Sequence, residues 1–288
     1  MRGRSPPSSD RTTVVWALEA AVAPPPQWRL GAPLVPALAL AAEVGTAALL
    51  VAGGWMPPEA LRVAGLVALH GALLSAALSR AARSGSPTWS PIGPALVSIG
   101  LVTVALAAAA LDRRGAVAAP AVLLWLTLAA RRGRLGSVGV RRPSPASGML
   151  LGLGTGATLG AHMLLSAPLT LGYRLRADGA GAYLAALAYD IGINVASSEL
   201  FFRGVLFDHM QRRASFAAAA MVATIGYVGR YLLDPLLPHA VETIAGAVVY
   251  LSLLSLACCW LFWRTGSVVP GAAGALTFFA AYRALAIG

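Results

Sequence analysis

Apolar runs of about twenty residues recur along this chain, separated by short polar stretches. A helix needs about 20 mostly apolar residues to cross a bilayer. The pattern predicts spans at 32–54, 60–80, 91–111, 116–130, 148–172, 181–207, 215–233, 240–263 and 266–285. The fourth run is short and reads as a half-span or an interfacial segment, so the expected fold is an all-α, polytopic membrane bundle of eight or nine transmembrane helices. The first thirty residues are polar and proline-rich, with a short apolar patch at Val14–Val22 that reads as an interfacial helix. No cleavable signal peptide is expected.

Composition supports this picture. Of the 288 residues, 58% are hydrophobic and 11% charged, against roughly 25% charged in soluble domains. All 22 basic residues are arginine, and the net charge is +11. Such a charge suggests nucleic acid, but the arginines fall in short loops between apolar runs, where they orient spans and meet anionic lipid. Nucleic-acid binding is therefore not expected. Arginines cluster in the N-terminal tail and after the second, fourth and sixth spans, while Glu59, Asp112, Asp178 and Asp234 mark the alternate loops. That asymmetry predicts nine spans with the N-terminus in the cytoplasm. Cys258 and Cys259 are adjacent in an apolar run, which is neither a disulfide framework nor a metal spacing.

The segment 131–147 is basic and rich in Gly, Pro and Ser, and reads as a linker. It divides the chain into a tail (1–30), N-terminal membrane helices (31–130) and a membrane core (148–288). Most intramembrane polar groups lie in that core. The run Gly152-Leu-Gly154-Thr-Gly156-Ala-Thr-Leu-Gly160 is glycine-rich but follows no strand and lacks a P-loop lysine. It is expected to pack helices closely through small residues.

The sixth span is the most polar, holding Asp190, Asn194, Ser197, Ser198, Glu199 and Arg203. At 100° per residue Asp190, Asn194 and Ser197 share one face, and Glu199 and Arg203 share another. A helix with two polar sides must be enclosed by protein. An intramembrane ion pair is a functional-site candidate by default. Glu43, His70 and His162 lie singly in other spans and read as satisfied core or cavity-facing groups. Arg230 is placed to snorkel to the interface. His239 and Glu242 supply two possible metal ligands, too few for a site. No metal or cofactor is expected.

Two segments carry a family resemblance. Glu199-Leu200-Phe201-Phe202-Arg203-Gly204-Val205-Leu206 resembles the first motif, Glu-Glu-x-x-x-Arg, of the CPBP family of intramembrane glutamic proteases, relatives of CAAX prenyl endopeptidases and bacteriocin self-protection proteins. Trp263-Arg264-Thr265-Gly266-Ser267-Val268-Val269-Pro270 is similar to the turn leading into that family's last core helix. The resemblance covers roughly residues 146–288. It implies a CPBP/CAAX-protease-like core in the C-terminal half, a bacterial inner membrane, and a membrane protein or peptide as substrate or partner.

The departures from the family pattern fall on its chemistry. Ser198 stands where the family has its first glutamate. The second motif, Phe-x-x-x-His, falls on Tyr227-Val228-Gly229-Arg230-Tyr231, with Tyr231 in the histidine slot. The third motif's His and Asn fall near Gly274 and Phe278. Ser198 cannot serve as a base near neutral pH. Glu199 can, and Tyr231 can donate to an oxyanion, so these two are the remaining catalytic candidates. The resemblance therefore implies a homologue with an impaired site that binds a membrane partner, Glu199–Arg203 being kept as a structural pin. Two alternatives stay open. One is an active endopeptidase with a rearranged site. The other is a transporter or assembly subunit with Asp190, Glu43 and His162 along a polar path.

Overall fold

The computed structural model describes residues 34–83, 92–140, 146–170, 173–175, 179–232 and 241–287. Counting residues 180–211 as one unit, nine helical segments follow one another: α1 (Leu34–Ala52), α2 (Glu59–Arg83), α3 (Ile92–Leu111), α4 (Pro120–Arg131), α5 (Ala146–Thr170), α6 (residues 180–211), α7 (Phe216–Leu232), α8 (Val241–Thr265) and α9 (Val269–Tyr282). Five of them, α1, α2, α3, α5 and α8, are long and apolar enough to cross a membrane. The others include the shorter apolar helices α4, α7 and α9. Large apolar side chains such as Leu49, Val104, Leu165 and Leu169 point outward, which suits hydrocarbon surroundings and not water. The protein is a multi-pass integral membrane protein. One small departure from the all-helical expectation is a two-stranded antiparallel ribbon, β1 (Tyr173–Leu175) with β2 (Leu285–Ile287), which pairs Tyr173 with Ile287.

The expected sixth span is one continuous rod, but α6 is not regular. Its α-helical turns are interrupted by π-helical stretches at Asp190–Asn194 and Phe202–Phe207. Such stretches widen the backbone ring and turn side chains off the 100° wheel, and they concentrate at functional sites. Both fall on the polar positions of this helix.

Two apolar cores flank α6. One joins Leu74, Leu78, Val102 and Val122 of the N-terminal helices to Ile193 and Phe207 of α6. The other joins Met163, Tyr227, Leu254 and Phe278 to Val195. The basic segment after α4 is packed over residues 131–140. Leu135 and Val138 are buried, and Val268 N–H donates to the Gly139 carbonyl at 3.0 Å. At its C-terminal end α2 is tied to α6 by Arg80, which pairs with Asp208 and donates to the Val205 carbonyl at 3.0 Å. The N-terminal helices and the C-terminal half therefore share buried contacts.

The glycine run of α5 lies against α9. A Cβ on Gly152 would sit 2.1 Å from the Pro270 carbonyl oxygen, and one on Gly156 would sit 2.0 Å from that of Gly274. Gly154, between them, faces open space. Only hydrogen fits at Gly152 and Gly156, because the two backbones touch there, as small-residue stripes allow in membrane helices.

Candidate functional site

Glu199 and Arg203 are fully buried. Arg203 Nη1 stands 3.4 Å from Glu199 Oε1, longer than the 2.7–2.9 Å of a charge-assisted hydrogen bond. Arg203 Nη2 donates to the Ser255 carbonyl at 3.2 Å, and its guanidinium lies over the Tyr227 ring, 4.3 Å from the centroid. Glu199 Oε2 lies beside Gly271, 3.1 Å from where a Cβ would stand, with Cys258 next to it. Gly271 is in the first turn of α9, whose aligned peptide dipoles favour a negative charge. Among the described residues, no hydrogen-bond donor reaches either Glu199 oxygen.

On the other side of α6 lies a second polar cluster. Asp190 accepts two bonds from Arg283, at 2.7 and 2.9 Å, and a third from Asn194 Nδ2 at 2.8 Å. Asn194 Oδ1 in turn accepts from Arg230 at 2.7 Å and from the Tyr231 hydroxyl at 3.0 Å. His70 of α2 meets Ser197 Oγ through Nδ1 and the Tyr189 hydroxyl through Nε2, both at 2.7 Å. Arg230 Nη2 stands 3.1 Å from His70 Nε2. A guanidinium can only donate, so Nε2 accepts and the ring proton lies on Nδ1, shared with Ser197 Oγ. Ser197 passes its own hydroxyl proton to the Asn194 carbonyl at 3.2 Å. A serine beside a histidine can form a nucleophilic pair. Here the imidazole turns its N–H, not its lone pair, toward the serine. The cluster therefore joins α2, α6, α7 and the C-terminal segment.

The sequence-predicted residues divide between these clusters. Glu199 and Arg203 meet each other, while Asp190, Asn194 and Tyr231 belong to the second cluster. Tyr231 spends its hydroxyl on Asn194 and stacks on Phe279, so it does not face Glu199. Ser198 is buried, and its hydroxyl meets no described partner. Glu43 accepts from Thr103 at 3.0 Å, and His162 meets Tyr250 at 2.9 Å. Asp190, Glu43 and His162 do not contact one another. His239 and Val14–Val22 lie outside the described residues. Arg230 is corrected by the structure: it turns inward and is buried instead of snorkelling, because Asn194 and His70 offer acceptors that hydrocarbon does not. Sequence reasoning also missed Tyr189 and Arg283. The available signal was Asp190 itself, since a buried carboxylate in a span demands a cationic partner. No group of three or more His, Cys, Asp or Glu that could hold a metal occurs among the described residues.

Residues 180–274 match the family described as type II CAAX prenyl endopeptidase Rce1-like. This segment is similar to the CAAX-protease family. No curated protein and no solved structure matches the chain. The match covers about a third of the sequence and contains Glu199, Arg203, Tyr231 and Gly274. The resemblance puts the family's third-motif histidine slot near Gly274. A Cβ there would lie 2.6 Å from the Gly152 carbonyl oxygen, so the backbone of α5 occupies the space a histidine needs.

The Asp190–Arg283 clamp yields a first prediction. Asp190→Asn should lower unfolding stability by about 1–3 kcal/mol, since Arg283 keeps some solvent contact and only part of the buried-pair penalty applies. Thermal unfolding in detergent micelles measures it, and an unchanged midpoint would show that the clamp carries no stability.

Proposed function

We propose that this protein is a CAAX-protease homologue without effective catalysis that binds a membrane protein or peptide in the bilayer. We place it in a bacterial inner membrane with its N-terminus in the cytoplasm. The observation that carries this reading is the contact of Gly152 with Gly274. In the family pattern a glutamate base acts with histidines from the later helices. Here Ser198 replaces the first glutamate, Tyr231 is committed to Asn194, and the third slot is closed by backbone. Glu199 remains as a carboxylate, with the Arg203 guanidinium, the Cys258 thiol and Gly271 among its neighbours. These surroundings lack the histidines and asparagine that the family pattern sets around its base.

The reading is tested by capture from native membranes with the wild-type chain and Glu199→Gln. The expected result is the same membrane protein, intact, in both preparations. A captured protein found shortened with the wild type but whole with Glu199→Gln would overturn the proposal.

A further inference from the structure

A groove of about 400 Å³ runs between α5 and α8, lined by Thr158, His162, Ala245, Gly246, Tyr250 and Leu253 among others. His162 is exposed on it, unlike the buried His70. Its proton can be located from its partners. Ser166 Oγ donates its only hydrogen to the His162 carbonyl at 2.8 Å. The Tyr250 hydroxyl, 2.5 Å from Ser166 Oγ, must then donate to that oxygen. Tyr250 can therefore only accept from His162 Nδ1, 2.9 Å away, which fixes the proton on Nδ1. No described residue bonds Nε2, so in the neutral imidazole that nitrogen presents a lone pair on an exposed side chain of the groove.

The depth of this lone pair limits what can meet it. His162 lies about one helical turn beyond Thr158, the midpoint of α5, or about 6 Å along the axis. With α5 centred in the bilayer, that position lies within the hydrocarbon core, which reaches about 15 Å from its midplane. Acyl chains offer no donor at that depth, and lipid headgroups lie beyond it. A transmembrane helix does offer one, through Ser, Thr, Asn, Gln or Trp, and Ala245 and Gly246 form the small-residue wall that lets a helix backbone approach.

We propose that the α5–α8 groove receives a transmembrane helix of a partner protein, which donates a hydrogen bond to His162 Nε2. This rests on the partner-binding function proposed above and names the surface for it.

The test places a photo-crosslinking amino acid at Leu253 of the full chain in native membranes, with Val104 as a control on a different helix. The expected product is a link from 253, not from 104, to an apolar span with a donor side chain within one turn. His162→Phe should reduce that link about threefold or more, the size of an interhelical hydrogen bond. His162→Gln, which keeps an acceptor, should restore most of it, and removing the partner's donor should mimic His162→Phe. Links to lipid only, links to a second copy of this chain, or links indifferent to His162→Phe would each overturn the inference. If capture still yields a partner while the groove stays unlinked, only this inference fails. If nothing is captured, the proposed function fails with it.

Discussion

Glu199→Ala should destabilise the protein by about 3–5 kcal/mol, and Arg203→Ala by a similar amount. Each strands the opposite charge in a fully buried position. The pair of replacements Glu199→Leu with Arg203→Met should recover most of that loss, because no stranded charge remains and the two apolar chains fill similar volume. The same comparison separates a structural pin from a catalytic carboxylate. A pin predicts a deficit in stability that the paired replacement repairs. A catalytic glutamate predicts a deficit in activity that no apolar replacement repairs. Reversible unfolding in bicelles, followed for the three variants against the wild type, reads the effect directly. Equal stability of all four would remove the structural role.

The second large effect concerns the α5–α9 contact. Gly156→Val should prevent normal packing, with a loss at or above the upper end of the roughly 1–3 kcal/mol seen for overpacked cores. Its Cβ would meet a backbone oxygen at 2.0 Å, and no rotamer relieves that. Gly154→Ala, two residues away and facing open space, should stay within about 0.5 kcal/mol of the wild type, as surface changes usually do. Thermal unfolding of both variants measures the contrast. The same geometry predicts that Gly274→His disrupts the fold, so Ser198→Glu, Tyr231→His and Gly274→His together should give a misfolded protein and not a restored protease. A well-folded triple variant would show that α5 can withdraw and that the slot is only occluded.

Much of this architecture was legible in the sequence. Apolar length alone gives the nine helical segments, because a bilayer imposes one scale on every span. The glycine run of α5 was readable as close packing, since Gly152, Gly156 and Gly160 recur every fourth residue and share a face. The partner of that face was not readable, because spacing within one helix says nothing about which helix it meets. Its contact with Gly274, which bears most on function, therefore came only from the structure. The division of α6 into two polar sides was visible from the 100° wheel. Its two π-helical stretches were not, since a widened ring leaves no signature in residue type. Arg230 was misjudged because snorkelling depends on the distance to water, whereas its two buried acceptors come from residues 36 and 160 positions away in the chain.

The most direct measurement of the central claim is hydrolysis of a prenylated CAAX-type peptide by the protein in proteoliposomes. Wild type, Glu199→Gln and protein-free bilayers would be compared, and the fold of each variant checked by its unfolding midpoint. The account predicts the same background rate in all three. Cleavage by the wild type that falls about 100-fold or more in a folded Glu199→Gln variant, the size of a lost general base, would contradict it.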